Sequence, residues 1–286
     1  MNNMTEPKPF FKWAGGKRQL LNHLLHYSPS KFNNYFEPFL GGGALFFKLS
    51  QQNKIKKCYL NDFNKIIVDS YQVVKDNPKE LIKELKNGKY KNDKETFLQI
   101  RAEEPKNKIK ATARFLYLNK TAFNGLYRVN SKDKFNVPFG KYANPTICDE
   151  KNILAVSKAL QKDELTCGDF EQAVKKAKKG DFVYFDPPYA PLSKTSSFTK
   201  YTKDDFNESD QQRLAETFKQ LDKKGCFVML SNSYAPLILD LYKDFNINVV
   251  KATRMINCKA EGRGKIEEVI ITNYQQVTLK NLKEFH

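Results

Sequence analysis

Asp186-Pro187-Pro188-Tyr189 places a carboxylate, two prolines and an aromatic ring in four consecutive residues. The prolines can neither continue a β-ladder nor donate their own amides. The apolar run before them, Phe182-Val183-Tyr184-Phe185, must therefore stop there, leaving Asp186, the Pro187 carbonyl and the Tyr189 ring at the strand's end. Two neighbouring acceptors suit the two hydrogens of an amino group whose lone pair is delocalised into an aromatic ring, as on adenine or cytosine. Drawing on those hydrogens favours a tetrahedral nitrogen whose lone pair can attack a methyl sulfonium, while Tyr189 stacks on the base. Such chemistry requires neither a metal nor a covalent enzyme intermediate. A plain strand-terminating turn has the same letters, so the tetrapeptide gains meaning only from its company.

That company is a glycine loop, Glu37-Pro38-Phe39-Leu40-Gly41-Gly42-Gly43-Ala44. Between a strand and a helix, glycines let the backbone approach a ligand and the helix start offers free amide donors. Phe46 stands where a dinucleotide fingerprint would have its third glycine. Asp62 ends the next apolar run, where a carboxylate can accept from ribose hydroxyls. Together these residues indicate a nucleoside-containing cofactor without saying which. A second glycine pair lies in Phe11-Lys12-Trp13-Ala14-Gly15-Gly16-Lys17-Arg18, but it lacks the upstream glycine and the Ser or Thr of a phosphate-binding P-loop.

The elements that must position these groups alternate in type. Residues 35–39 read as a strand running into the glycine turn, 44–49 as the start of a helix, and 57–60 as a second strand closed by Asn61 and Asp62. Further core strands are expected over 182–185, 226–230, 247–251 and 269–272, with a crossover helix over 210–221. The alternation predicts a largely parallel, doubly wound α/β sheet. Between them, residues 76–110 are lysine-rich and helical, and 119–141 combine turn residues, aromatics and basic side chains in the manner of a β-hairpin. The expected organisation is a sheet domain in two parts, 1–70 and 151–286, interrupted by an inserted domain over 71–150.

The net charge is +17, from 49 Lys and Arg against 32 Asp and Glu, which favours a polyanionic partner. Residues 79–141 concentrate the excess, with 16 basic against 7 acidic side chains. No apolar run approaches the length of a membrane span, and the N-terminal residues are polar, so neither membrane nor secretion is expected. Five scattered cysteines and three histidines suggest neither a disulfide framework nor a metal site. A soluble, cytoplasmic setting is expected.

With these motifs in this order, the sequence resembles the Dam-type family of DNA adenine-N6 methyltransferases, including the GATC-specific members found in restriction-modification systems. The resemblance covers nearly the whole chain. It implies a Rossmann-like methyltransferase sheet with an inserted, mostly helical target-recognition domain bearing a β-hairpin. It also implies S-adenosyl-L-methionine as cofactor, double-stranded DNA as partner, and a companion restriction endonuclease that is not a stable subunit. By similarity, Trp13, Ala14, Gly15 and Lys17 help close the cofactor site. Glu37, Pro38, Phe39, Gly41 and Gly43 form its loop, Asp62 its ribose turn, and Asp169 and Phe170 its adenine contact. Asp186, Pro187, Pro188 and Tyr189 are similar to the catalytic tetrapeptide, with Asp186 also bordering the cofactor.

The stretches 119–130 and 135–140 resemble the family's recognition hairpin. That similarity implies Arg128 on a guanine edge, Leu126 and Pro138 against a thymine methyl, and Lys12 on the first guanine. It also implies Phe123 as a wedge between base pairs and Asn124 on phosphate. Weaker expectations place Ser231-Asn232-Ser233 at the target pocket, Arg254, Lys259, Arg263 and Lys265 near phosphates, and residues 191–202 as a lid. The rival readings are an amino-methyltransferase acting on cytosine or RNA, a protein-glutamine methyltransferase, and a non-catalytic DNA-binding protein on the same scaffold. A cytosine carbon-5 enzyme is disfavoured, since it requires a nucleophilic cysteine and no Pro-Cys dipeptide occurs.

Overall fold

A computed structural model of the chain describes residues 5–17, 19–192, 206–253 and 265–275. The expectations for Arg254, Lys259 and Arg263, and most of the expected lid, lie outside these residues, as does the side chain of Lys265.

The strands are β1 (Tyr35–Glu37), β2 (Cys58–Asp62), β3 (Glu164–Cys167), β4 (Phe182–Phe185), β5 (Phe227–Ser233), β6 (Asn246–Thr253) and β7 (Lys265–Thr272). They form one sheet in the order β3-β2-β1-β4-β5-β7-β6. The first five are parallel, while β7 runs antiparallel to both β5 and β6. Alternation along the strands explains why both faces are covered. Tyr35, Phe182 and Tyr184 point to one face, where α1 (Leu21–Tyr27), α2 (Ala44–Gln51) and α3 (Lys65–Asp76) pack. Phe36, Val183 and Phe185 point to the other, covered by α8 (Phe170–Ala173), α9 (Glu208–Lys223) and α10 (Pro236–Leu241). All four residues of β4 are buried, which is why that strand reads as an unbroken apolar run.

Several boundaries differ from expectation. β1 ends at Glu37 rather than residue 39, because the glycine turn has already begun. β5 continues to Ser233, so Ser231, Asn232 and Ser233 lie inside a strand and not after one. β3 was not expected at all. It is an edge strand paired only to β2, with two residues exposed, so it carries no apolar run.

Between β2 and β3 lie α3, α4 (Pro78–Leu85), α5 (Lys94–Ala102), α6 (Lys108–Thr121) and α7 (Glu150–Leu160). A division at residue 70 falls inside α3, which packs on β2 and β3 and also on α6 and α7. Leu81, Phe97 and Tyr117 accordingly belong to the same apolar cluster as Tyr35 and Leu60. Asn119 to Thr121, read as the start of a loop, form the last turn of α6. The expected hairpin follows as two extended arms joined by isolated bridges, Ala122 to Phe139 and Val129 to Phe135, rather than by a continuous ladder. Pro138 and the turn at Phe123–Gly125 leave too few paired amides for more.

Candidate active site

The sheet order reverses between β1 and β4, and the chain leaves both strands at their carboxyl ends carrying the predicted groups. This is where open α/β sheets bind ligands.

Glu37 ends β1, almost fully buried, and accepts from the Tyr35 hydroxyl at 2.9 Å. Burial pushes its carboxyl up to about 8, with Tyr35 opposing. Asp62 ends β2 and ties the glycine loop to the next turn, accepting from the Gly41 amide at 2.8 Å through one oxygen and the Asn64 amide at 2.8 Å through the other. Its carboxyl rises to about 6, again through burial, with these two amides opposing. Asn61 donates to the carbonyls of Pro38 and Gly168, binding the ends of β1 and β3 together. Gly43 takes φ +65° at the start of α2, and a Cβ there would lie 2.8 Å from the Tyr71 hydroxyl, so this turn demands glycine.

Trp13 lies on the glycine loop: a Cβ on Gly41 would sit 3.1 Å from its ring. The same indole stacks on Tyr127 of the hairpin arm, centroids 5.8 Å apart. Ala14 and Gly15 are exposed in the turn that follows, with Gly15 at φ +77°. Across the cleft, Phe39 stacks on the buried Phe170 at 5.5 Å, and Phe206 stands edge-on to Phe39. Asp169 caps α8 through the Glu171 amide, and its other oxygen pairs with Arg213 at 2.9 Å. Arg213 also pairs with Glu171 and Asp210 and lies over the Phe170 ring.

The tetrapeptide is fastened from several elements. Gln211 of α9 donates to the Pro188 carbonyl at 2.9 Å. Asn232 of β5 accepts from the Ala190 amide at 3.0 Å and donates to Gln211. Ser233 donates to the Ala190 carbonyl at 2.6 Å, and the Tyr189 hydroxyl donates to Glu268 of β7 at 2.8 Å. Asp186 receives Lys17 Nζ at 2.7 Å and Ser231 Oγ at 2.9 Å, both on Oδ1. No hydrogen bond to Oδ2 is made among the described residues. Burial holds the Asp186 carboxyl above its usual range, while the Lys17 ammonium opposes. That ammonium also donates to the Gly15 carbonyl and stands 4.6 Å from the centroid of the Tyr189 ring.

The expected DNA-contacting residues gather around the hairpin. Phe123, Asn124, Arg128 and Pro138 are exposed, and Leu126 is half-buried. Asn124 takes φ +55°, turning the chain outward between Phe123 and Gly125. Arg128 Nε donates to Asn136 on the opposite arm at 2.7 Å. Lys12, more than a hundred residues away in sequence, is brought here by Asn119, which bonds both its amide and its carbonyl at 2.8 Å. Its aliphatic chain fills the space that a Cβ on Gly125 would occupy.

A family profile described as D12 class N6 adenine-specific DNA methyltransferase matches residues 13–256. The chain belongs to this family. It is 51% identical over 280 residues to a Type II methyltransferase, M1.LlaDCHI, of Lactococcus lactis subsp. cremoris, covering 95% of this chain and 97% of that one. It is 46% identical to the Type II methyltransferase M.MjaIII of Methanocaldococcus jannaschii, covering 94% and 100% of the two chains. It is 34% identical to the DNA adenine methylase of Vibrio cholerae, covering 93% and 96%.

The protein is therefore an enzyme that methylates adenine in DNA with S-adenosylmethionine as methyl donor. Membership decides against the cytosine, RNA, protein and non-catalytic readings. Among the described residues, no helix is long and apolar enough to cross a membrane.

The residues of this methyltransferase fit such a donor. The Asp62 carboxylate keeps acceptor capacity beyond its two amide bonds, and a Cβ on Gly168 would meet nothing within 4 Å. The Phe39–Phe170 pair offers an aromatic wall beside them. The motifs themselves were visible in sequence, but the residues that fasten them were not. Gln211, Arg213 and Glu268 sit in ordinary helix and strand contexts. Gln211 and Arg213, on α9, carry no signal of their role, and for Glu268 it is only polarity beside the apolar part of β7.

Proposed function

We propose that this methyltransferase acts on duplex DNA at GATC, transferring the methyl group to the 6-amino nitrogen of an adenine flipped out of the helix. The observation that carries the reading is Asp186. Its carboxylate is anchored through one oxygen by Lys17 and Ser231, and among the described residues the other oxygen takes no hydrogen bond.

In this reading Asp186 Oδ2 and the Pro187 carbonyl accept the two amino hydrogens, and Pro188 fixes the turn that sets them side by side. Tyr189 stacks on the base. Asp186 must be ionised to accept, and Lys17 opposes the burial that would neutralise it. Asp186 is also the resident base for the proton that the nitrogen sheds as it is methylated. Activity accordingly falls as the pH drops through the raised Asp186 value.

Trp13, Ala14, Gly15, Lys17, Glu37, Pro38, Phe39, Gly41, Gly43, Asp62, Asp169, Phe170 and Asp186 surround the cofactor, with Asp62 on its ribose and Phe39 and Phe170 beside its adenine. S-adenosylmethionine supplies a methyl group activated on a sulfonium. Lys12, Arg128, Leu126 and Pro138 read base edges, Phe123 enters the stack, and Asn124 meets phosphate. Support for GATC comes from the hairpin's resemblance, from the exposure of Phe123, Asn124, Arg128 and Pro138, and from Lys12 packing against Gly125 among them. The Type II names of two relatives support a modification enzyme that protects the sites a companion endonuclease cuts; its setting in this reading is the cytoplasm.

Transfer of labelled methyl to three duplexes tests the reading: one with a single GATC, one with its adenine substituted, and one scrambled. Label on the first alone, recovered as 6-methyladenine, is the expected result. Label on every adenine-containing duplex removes the GATC assignment, and its absence from all three overturns the duplex-substrate reading.

A further inference from the structure

We propose that Glu268 is a positioning residue for the target base, its carboxylate holding the Tyr189 ring at the angle at which that ring stacks. The proposal rests on the reading of Tyr189 as the stacking residue.

Glu268 lies on β7, in register with Ser233 of β5 and Val250 of β6. The next residues of β7, Val269, Ile270 and Ile271, are fully buried, so Glu268 marks the point where this strand emerges from the core at the active-site end. From there it reaches past β5 to accept the Tyr189 hydroxyl proton at 2.8 Å. Nothing about the strand requires an acidic side chain at that place. A half-buried carboxylate loses hydration, and where β7 turns apolar at Val269 such a group calls for a specific partner.

The backbone on both sides of Tyr189 is already fixed, by Gln211 on the Pro188 carbonyl and by Asn232 and Ser233 on Ala190. What remains free in such a turn is rotation of the ring about its own side-chain bonds. A hydrogen bond at the far end of the ring restrains rotation about the first of these bonds, on which the hydroxyl sweeps the widest arc. Because the phenol hydrogen prefers the ring plane, a fixed acceptor also biases rotation about the second, on whose axis the oxygen lies. A charged acceptor makes this bond stronger than a neutral one would.

The carboxylate has a second effect. A phenol that donates to a carboxylate carries more electron density on its ring, and an electron-rich face attracts cations. The Lys17 ammonium already stands over this ring. The amino nitrogen of the base also gains positive charge as its bond to carbon forms, so a better-held and more electron-rich ring favours the transition state over the ground state.

The test uses the full chain with S-adenosylmethionine and a duplex it methylates, prepared with adenine or with 2-aminopurine at the target position. The variants are Glu268→Ala, Glu268→Gln, Tyr189→Phe, the double Glu268→Ala/Tyr189→Phe, and Tyr189→Ala. Glu268→Ala and Tyr189→Phe are each expected to slow single-turnover methylation about tenfold with cofactor affinity unchanged. Both should raise 2-aminopurine fluorescence, because a loosely stacked base is less quenched. The double variant should be no slower than either single one, since both remove the same bond, and Glu268→Gln, which keeps an acceptor without the charge, should recover part of the rate.

Wild-type rate and fluorescence in Glu268→Ala and Tyr189→Phe would overturn the proposal, as would losses that multiply in the double variant. If Glu268→Ala does not fold, Tyr189→Phe decides alone, because it deletes one oxygen and leaves β7 intact. Normal methylation by Tyr189→Ala would instead remove the stacking role itself, and the proposal with it. An inactive Tyr189→Ala beside an unaffected Glu268→Ala would remove the proposal only.

Discussion

The catalytic tetrapeptide and the recognition hairpin are both loops, yet they are held in opposite ways. Side chains from α9, β5 and β7 converge on residues 186–190 and bond their backbone and polar tips. The hairpin arms are joined by two isolated bridges and a few backbone hydrogen bonds, and its base-reading side chains stand largely in solvent. Reaction geometry tolerates displacements well below an ångström, so its loop is over-determined before substrate arrives. Base edges are read by long side chains that settle on binding, so that loop needs only a defined root. Lys12, docked by Asn119, supplies part of this root.

The sharpest break in this contrast is Asp186→Ala. It should reduce methyl transfer below detection while cofactor affinity stays within about tenfold, because the carboxylate acts mainly on the target amine. Isothermal titration alongside a methylation assay checks both halves, and measurable wild-type turnover would contradict the mechanism.

Next comes Asn232→Ala. It removes the Asn232 acceptor of the Ala190 and Ser233 amides and the donor to the Gln211 side-chain oxygen, at a cost of about 1–3 kcal/mol for an unsatisfied buried group. Denaturant unfolding should show the lower stability and kcat should fall with it, whereas a loss of stability alone would mean the loop keeps its shape without this clamp.

On the hairpin side, Arg128→Ala should relax discrimination at one guanine by about 1–3 kcal/mol with the folded stability unchanged. Competition between single-base variants of the site measures it. A uniform loss across all sequences would assign Arg128 to phosphate.

The last test leaves both loops and concerns Glu37, whose carboxyl is raised to about 8 in the folded chain. A raised acid binds its proton more tightly when folded, so its contribution to stability is present below the ordinary glutamate range and is lost as the pH rises toward 8. Thermal melts at pH 5 and pH 8.5 should show a decline that Glu37→Gln flattens, and an equal decline in both proteins would refute it.

Much of the frame was legible because buried parallel strands must be apolar. Phe182-Val183-Tyr184-Phe185 and the prolines after it left little choice of structure. β3 escaped because an edge strand with solvent on one side can be built from Glu164, Leu165, Thr166 and Cys167. The site's motifs were legible through residue type: glycines that must take positive φ, and a carboxylate at a strand end. By residue type, Ser231, Asn232 and Ser233 belong beyond their strand, since polar residues at a strand's end usually mark a turn. Here they are buried because the adjoining loop supplies their partners. The pairing of Lys17 with Asp186 had no local trace, as it depends on the N-terminal turn folding back across the sheet.

Trp13 touches both the cofactor's glycine loop, through one edge, and the hairpin, through one face on Tyr127. A single rigid ring shared by two binding surfaces cannot report to one of them alone. Any factor by which bound cofactor changes the affinity for DNA through this indole is, by linkage, the factor by which DNA changes the affinity for cofactor.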